Sequence, residues 1–333
     1  MLAEQPVPDE AARRAVAERA SQVLRPAGAF ERLDQVAAWL AGWQRTTEPT
    51  VERPVVLVFA ADHGVAEEGV SAYPAEVTAA MVSAVDSGVA TVTAVARQVG
   101  AVVRCDDVGV GMPTGNIRTH DAMSADEFDA AVDAGALAVE RAVEADRPDL
   151  LVLGELGIGN TTAAAAVCGL LFAEDATSSA EAAARWTGPG TGVRAEALDR
   201  KRAVVRDVLE RVGRVAPLDA LRRAGGRELA AIAGAVAAAR HRSIPVILDG
   251  FIGTAAAAPL ALAAPGSLDH CIAGHCSAEP GHGALLDQLG LEPLVRLDLR
   301  LGEGTGALVA VPIVQIAAAA VTDVATFAEW GLA

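Results

Sequence analysis

A strand-forming segment, a glycine-rich loop and a helix-forming segment follow one another several times along this chain. The segments expected to form strands are residues 55–61, 101–110, 150–154, 244–248 and 295–299. The first of them, VVLVFAA, has no polar residue, which is typical of a strand that is covered on both faces. Strands that alternate with helices in this way favour a parallel sheet between helix layers. No long linker interrupts the chain, so we expect one main α/β domain with helical additions.

The loops that follow these strands contain the polar residues expected in a binding site. Ligands of open parallel sheets bind beyond the carboxyl ends of the strands, where such loops gather. We therefore expect four segments to converge on one site, although they are far apart in the chain. They are Asp62-His63, residues 154–160, Asp249-Gly250 and residues 301–306.

Residues 149–172, DLLVLGELGIGNTTAAAAVCGLLF, contain the most informative of these loops. The pattern predicts a buried strand, a short glycine-rich turn and a helix of small residues that begins near Asn160. The backbone N–H groups of residues 157–160 would then be unpaired at a helix N-terminus. Such a terminus favours an anion, because its donors are free and the helix dipole attracts negative charge.

Two glycines of this turn, Gly157 and Gly159, would let a phosphate approach the backbone closely. The side chains of residues 160–162 could cap the helix and donate to phosphate oxygens. Glu155 would repel a phosphate, so we expect it to face an uncharged or cationic part of a ligand. An ordinary capped turn is the alternative, and the chain has neither a G-x-G-x-x-G fingerprint after its first strand nor a G-x-x-x-x-G-K-[ST] loop.

Two glutamates, Glu155 and Glu303, each lie among glycines at the expected end of a strand. Glycines add no other side chain beside the carboxylate, so burial could raise its pKa and make it a general base. For either residue alone, a solvated loop glutamate is the simpler interpretation. Two such residues at strand ends favour a role in catalysis.

Charge and composition exclude several classes of partner. The 333 residues include 27 Lys and Arg against 43 Asp and Glu, a net charge of −16, so the basic character of a nucleic-acid-binding protein is missing. The N-terminal MLAEQPVPDEAARR lacks the basic–apolar–cleavage pattern of an export signal. The apolar run 307–321 is too short to span a bilayer. We expect a cytoplasmic protein that binds neither nucleic acid nor membrane.

The segment HCIAGHCSAEPGH contains five potential metal ligands, His270, Cys271, His275, Cys276 and His282. Cys and His are the preferred zinc ligands, so a metal site is one interpretation. However, no C-x2-C pair is present, and the pattern indicates a short buried strand followed by a loop. We expect core thiols, a histidine-bearing loop and no metal. Four cysteines in the whole chain are too few and too scattered for a disulfide scaffold.

Several blocks between about residues 55 and 310 are more specific together than any one of them. They are FAADHGVAEEGVSAYPAEVT (59–78), GELGIGNTT (154–162), GPGTGV (188–193), DGFIGTAAA (249–257), HCSAEPGH (275–282) and LRLGEGTGA (299–307). In this order they resemble the nicotinate-nucleotide–dimethylbenzimidazole phosphoribosyltransferase family. The first fifty residues contribute little to the resemblance.

The resemblance implies a transferase in the assembly of the lower ligand of cobalamin. Members of the family move the 5-phosphoribosyl group of nicotinate mononucleotide to 5,6-dimethylbenzimidazole, giving α-ribazole 5′-phosphate and nicotinate. It also implies a homodimer, no metal or organic cofactor, and a Rossmann-like parallel sheet with a small helical domain made by the chain ends. We therefore expect residues 51–320 to form the α/β catalytic domain, and residues 1–50 and 321–333 to form the small domain.

The matching blocks imply roles for individual residues. Glu303 matches the catalytic glutamate, a general base, and Glu155 matches a second active-site glutamate that could stabilise positive charge on the ribose or assist the base. The residues on the phosphate side are Gly157, Ile158, Gly159, Asn160, Thr161, Gly190, Thr191 and Lys201. Lys201 could instead be a surface lysine, because arginines flank it. Asp62 and His63 would support the site without reacting.

The base pocket is where this chain departs from the family. Ser71, Leu301 and Gly302 match its benzimidazole side, but Ala80 is aligned with a helical position at which many members have glutamine. One polar contact to the base would then be missing. Two alternatives stay open: a transferase of this fold that prefers a purine or a phenolic base, and a non-catalytic nucleotide sensor. The presence of both glutamates argues against the sensor.

Overall fold

The computed structural model describes residues 4–173, 177–193 and 196–332. Within these ranges the chain forms strands β1 (Pro54–Ala61), β2 (Val102–Gly109), β3 (Leu150–Leu156), β4 (Val246–Leu248), β5 (Cys271–Cys276) and β6 (Pro293–Arg296). The helices in the same ranges are α1 (Glu10–Ala20), α2 (Glu31–Gln44), α3 (Val77–Asp86), α4 (Thr91–Gln98), α5 (Ala125–Asp146), α6 (Asn160–Phe172), α7 (Ser179–Trp186), α8 (Glu196–Val212), α9 (Pro217–Ala224), α10 (Arg227–His241), α11 (Phe251–Ala263), α12 (Pro280–Leu289) and α13 (Thr305–Thr322).

The strands form one parallel sheet in the order β2-β1-β3-β4-β5-β6. Every residue of β1 is buried, as the apolar run predicted. Side chains alternate between faces along a strand. Accordingly, Val55, Leu57 and Phe59 join a core with α5, α6 and α10, whereas Val56 and Val58 join a second core with α2 and α13. The predicted α/β fold, a Rossmann-like parallel sheet between helix layers, is confirmed.

One predicted helix is divided in the structure. The sequence predicts an amphipathic helical region over residues 10–46, which contains α1 and α2, and a long helix around residues 75–99, which is divided into α3 and α4. Gly88 lies in this break with a φ of +73°, a left-handed conformation that does not continue a helix. The helix expected from Ala195 is α8, which begins at Glu196; Ala195 itself lies outside the described residues.

The last strand and the final helix also differ from expectation. Residues 295–299 were expected to form the strand, but β6 ends at Arg296. The apolar run 307–321 lies within the longer helix α13, which by length and composition could cross a membrane, as could the stretch Val77–Gln98. In α13, 56% of the apolar 18-residue segment is buried inside the fold. The stretch Val77–Gln98 is interrupted between α3 and α4. Core helices of globular proteins are often equally apolar.

The two ends of the described chain contact each other. Val23 and Thr326 form an isolated antiparallel bridge, and the Leu24 N–H donates to the Ala325 carbonyl oxygen at 2.9 Å. In addition, α2 packs on α13 in the second core. The division into a small domain and residues 51–320 stays a prediction, and residues 1–3 and 333 of it lie outside the described residues.

Candidate active site

A cavity of about 690 Å³ lies at the carboxyl ends of the strands. Three of the four segments expected to converge line it, through residues 155–160, through Asp249-Gly250, and through residues 301–303 with Thr305. Asp62 and His63 do not line the cavity, which corrects that part of the expectation. His63 instead bonds to Glu228 behind the glycine turn, where both side chains are fully buried.

Glu155 lines the cavity near the end of β3 and is only 6% exposed. Burial raises the pKa of its carboxyl group well above the usual value, and the negative charges of Asp249 and Glu228 act in the same direction. A hydrogen bond from the Asn160 side-chain amide opposes them, because it stabilises the carboxylate. A cationic ligand in the cavity would favour the ionised form further.

Glu303 lines the same cavity immediately before α13 and is 2% exposed. Burial raises the pKa of its carboxyl group, whereas the Val92 N–H, 3.4 Å from Oε2, lowers it. The backbone of Glu303 has a φ of +63°, which non-glycine residues rarely adopt. The two glutamates expected from sequence are therefore brought together, buried and at the same cavity.

The glycine turn differs from the expected anion site in its donors. Gly159, with a φ of +101°, is the N-cap of α6, and no side chain caps this helix, so the predicted capping by residues 160–162 is wrong. The N–H groups of Ile158 and Asn160 already donate, to Thr78 Oγ1 at 3.3 Å and to the Gly157 carbonyl oxygen at 3.2 Å. The turn still lines the cavity with Thr161 beside it.

Lys201 is fully buried, so its interpretation as a surface lysine is wrong. Its ammonium group donates to Thr161 Oγ1 at 2.8 Å and to the Gly188 carbonyl oxygen at 2.9 Å. Burial lowers the pKa of Lys201 to about 8, although the charge of Glu279 raises it. The side chain thus reaches the cavity edge through Thr161 and joins α6 to the loop after α7.

The loop after α7 contributes Gly190 and Thr191 to the cavity wall. Here the Gly190 N–H donates to Glu279 Oε1 at 2.6 Å, so this expected phosphate donor has a carboxylate partner. The second oxygen of Glu279 is buried and has no hydrogen-bond partner among the described residues. Sequence reasoning missed Glu279, although it lies within the quoted block HCSAEPGH.

Known proteins resemble this chain over nearly its whole length. A family model described as a phosphoribosyltransferase matches residues 5–332. The nicotinate-nucleotide–dimethylbenzimidazole phosphoribosyltransferases of Cereibacter sphaeroides and Novosphingobium aromaticivorans are 48% and 47% identical to it, each covering 98% of this chain and 94% of the relative. This chain belongs to the nicotinate-nucleotide–dimethylbenzimidazole phosphoribosyltransferase family. The crystal structure of CobT from Thermus thermophilus agrees, with a TM-score of 0.90 and 40% identity over 97% of this chain and 99% of that one.

The side of the cavity that the family resemblance assigned to the base contains Ser71, Leu301 and Gly302. Helix α3 lines the cavity with Val77, Thr78 and Met81, whereas Ala80 is exposed and does not line it. Ala80 therefore does not line the base side of the cavity, and Met81, which lies one residue further along α3, is rotated from it by about 100° at 3.6 residues per turn. A flexible thioether faces the cavity here.

The histidine and cysteine segment has structural partners. His282 lies in α12, not in a loop; its Nδ1 accepts from the Ser277 N–H at 2.9 Å, and burial lowers its pKa to about 3. His270 Nε2 bonds to the Val236 carbonyl oxygen at 2.9 Å. Cys271 is buried and Cys276 half-buried. Among the described residues, no three His, Cys, Asp or Glu side chains are grouped to hold a metal ion.

Proposed function

We propose that this chain transfers the 5-phosphoribosyl group of nicotinate mononucleotide to 5,6-dimethylbenzimidazole, giving α-ribazole 5′-phosphate and nicotinate. The observation that carries the proposal is the pair of buried glutamates, Glu155 and Glu303, at one cavity with a glycine turn. The relatives from Cereibacter sphaeroides and Novosphingobium aromaticivorans are named for this reaction.

In this proposal Glu303 is the general base. One nitrogen lone pair of the benzimidazole attacks C1′ of the ribose, on the face opposite nicotinate, so the β-glycoside becomes an α-glycoside. The C1′–nitrogen bond to nicotinate breaks, and its electron pair neutralises the pyridinium nitrogen. The proton on the other benzimidazole nitrogen passes to the Glu303 carboxylate. The raised pKa of Glu303 makes it a better proton acceptor than an exposed glutamate.

The remaining cavity residues would hold the nucleotide. The carboxylate of Glu155 would stabilise the positive charge of the pyridinium and of the ribose as the bond breaks. The 5′-phosphate would lie against residues 157–161 together with Gly190 and Thr191. Lys201 adds a positive charge behind Thr161, and a phosphate in place of the Glu279 carboxylate would take the Gly190 N–H.

We also propose a homodimer in the cytoplasm that needs no metal or organic cofactor. Tyr73 and Leu301 line the cavity but are 50% and 47% exposed, so a second copy that covered them would close its mouth. Sedimentation velocity of the wild type and of Leu301→Glu tests this, since a charge in an apolar contact should weaken the dimer. A monomeric wild type would contradict it.

The experiment for the reaction is a panel of bases incubated with nicotinate mononucleotide, with and without a chelator, and products identified by mass spectrometry. We expect α-ribazole 5′-phosphate from 5,6-dimethylbenzimidazole in both conditions. Faster turnover of a purine or phenolic base would change the assigned acceptor. The Met81 side chain on the cavity wall would then be the first residue to examine for this preference. Binding of nicotinate mononucleotide without turnover of any base would indicate a sensor.

A further inference from the structure

Asp249 follows β4 and lies beneath the first turn of α13, with only 2% of its surface exposed. Its Oδ1 accepts from the Ala307 N–H at 2.8 Å, and its Oδ2 accepts from the Gly304 N–H at 3.2 Å. The N-cap of α13 is Gly304, which has no side chain to cap the helix. Asp249 therefore satisfies two of the unpaired donors at this helix start from a different strand.

The residue before this cap is Glu303. Its φ of +63° persists in non-glycine residues only where the surroundings impose it. His275 restricts the same turn from the other side, since a Cβ on Gly306 would lie 2.2 Å from His275 Nε2. His275 Nε2 is itself 3.6 Å from Asp249 Oδ1. The turn that carries Glu303 is therefore fixed by a carboxylate on one side and an imidazole on the other.

We propose that Asp249 is a positioning residue that, through the Gly304 and Ala307 N–H groups, holds the Glu303 carboxylate where it removes the proton of the base. This inference rests on the proposed function. A side chain that ordered only the helix would affect stability alone. A side chain that aims the general base affects turnover more than substrate binding, because misplacement by about 1 Å can cost about 10²-fold in rate.

Asp249 also contributes charge to the site. The titratable groups around it are His275 on β5, His282 on α12, Glu155 on β3 and Glu303 before α13. Its negative charge raises the pKa of both glutamates. Neutralising Asp249 should therefore move the acid limb of the pH–rate profile to lower pH.

The test compares Asp249→Asn, Asp249→Glu and a matched control, Asp149→Asn. Asp149 also accepts backbone N–H groups, from Glu52 at 2.8 Å and from Arg53 at 2.9 Å, but before β3 and away from the cavity. We expect Asp249→Asn to lower kcat by about 10- to 100-fold with little change in the KM for nicotinate mononucleotide, and to shift the acid limb downward. Asp249→Glu keeps the charge but moves the oxygens, so it should lower kcat without that shift.

In a Glu303→Gln background, Asp249→Asn should lower turnover little further, because the group that it positions no longer accepts the proton. Wild-type kcat and an unmoved acid limb in folded Asp249→Asn would overturn the inference, as would an equal loss in Asp149→Asn. If Asp249→Asn does not fold, a wild-type kcat in Asp249→Glu overturns it.

Hydrogen exchange separates this inference from the proposed function. Absence of ribosyl product from the wild type would refute the proposed function. The exchange rates would still show whether Asp249 holds the Gly304 and Ala307 N–H groups. The Gly304 and Ala307 amides should exchange faster than in the wild type when Asp249 is replaced by Asn or by Glu. In Asp149→Asn their exchange rates should equal those of the wild type. Equal protection of these amides in all variants would refute the inference that Asp249 positions the turn.

Discussion

The backbone N–H of Glu303 donates to the carbonyl oxygen of Glu155 at 3.1 Å. This bond joins the end of β3 to the segment before α13, so the two glutamates keep a fixed relation although the chain separates them widely. Gly302 permits the approach, because a Cβ there would lie 2.6 Å from Glu155 Oε1. The two carboxyl groups belong to one unit, and a change at one should alter the other.

Glu303→Gln should abolish most of the turnover while nicotinate mononucleotide still binds. The amide preserves the shape of the side chain but accepts no proton, and general-base catalysis contributes about 10²–10⁴-fold. Steady-state kinetics and calorimetry measure the two effects separately. The loss will be smaller if Glu155 substitutes, so the Glu155→Gln/Glu303→Gln double variant belongs in the series. Near-normal turnover in that double variant would refute the mechanism.

Turnover and stability should respond to pH in opposite directions at Glu303. Burial raises its pKa above the ordinary 4.5, so the folded chain favours the neutral carboxyl. Its contribution to stability is complete below the ordinary pKa and is lost as pH rises through the raised pKa. Proton removal needs the carboxylate, so turnover should rise over the same interval. The unfolding temperature of the wild type and that of Glu303→Gln should therefore change with pH at different slopes between the ordinary and the raised pKa. Parallel curves of unfolding temperature against pH would contradict this.

Strands β1 and β3 were predictable from sequence because β1 and residues 150–154 of β3 are short continuous apolar runs that end in glycine-rich or polar turns. The division between α3 and α4 was not, since a single glycine such as Gly88 is tolerated within a helical pattern. The start of α5 is predictable, because Ser124 and Glu127 form a capping box whose two bonds are local in sequence.

The candidate site divides in the same way. Glycine-flanked glutamates at strand ends are visible in the sequence, and both lie at the cavity. Contacts between distant segments are not visible in the sequence. The hydrogen bond from the Gly190 N–H to Glu279 was therefore missed, as was the bond between Glu228 and His63. No local pattern distinguishes such carboxylates from exposed ones.

Gly157→Val should weaken binding of nicotinate mononucleotide. A Cβ on Gly157 would lie 2.8 Å from the Ala61 carbonyl oxygen and 3.0 Å from Glu228 Oε1, so the turn must move. We expect the Kd to rise at least about tenfold, which corresponds to about 1.4 kcal/mol. Gly283→Val is the matched control, because a Cβ there would meet no other described residue within 4 Å beyond its chain neighbours and the backbone of its own helix. Unchanged affinity in a folded Gly157→Val protein would place the phosphate elsewhere.

Met81→Gln should change which base is preferred, because it replaces an apolar side chain on the cavity wall with an amide. A buried amide favours a base that can hydrogen-bond and penalises one that leaves it unpaired. Ala80→Gln, on the exposed side of the same helix, should keep the wild-type order of bases. Competition between paired bases, read by mass spectrometry, gives the order directly. An effect of Ala80→Gln alone would restore Ala80 to the base side.

The joined ends of the chain determine when it can finish folding. Leu40 and Ala41 of α2 share a core with Val311 and Val314 of α13, so the first helices lack their partner until almost the whole chain has left the ribosome. Ribosome-bound chains that end at residue 300 should therefore be cut by protease within residues 10–44, and full-length chains should resist. If so, the helices that are synthesised first are among the last to gain their tertiary contacts, because the core that buries them needs residues of α13.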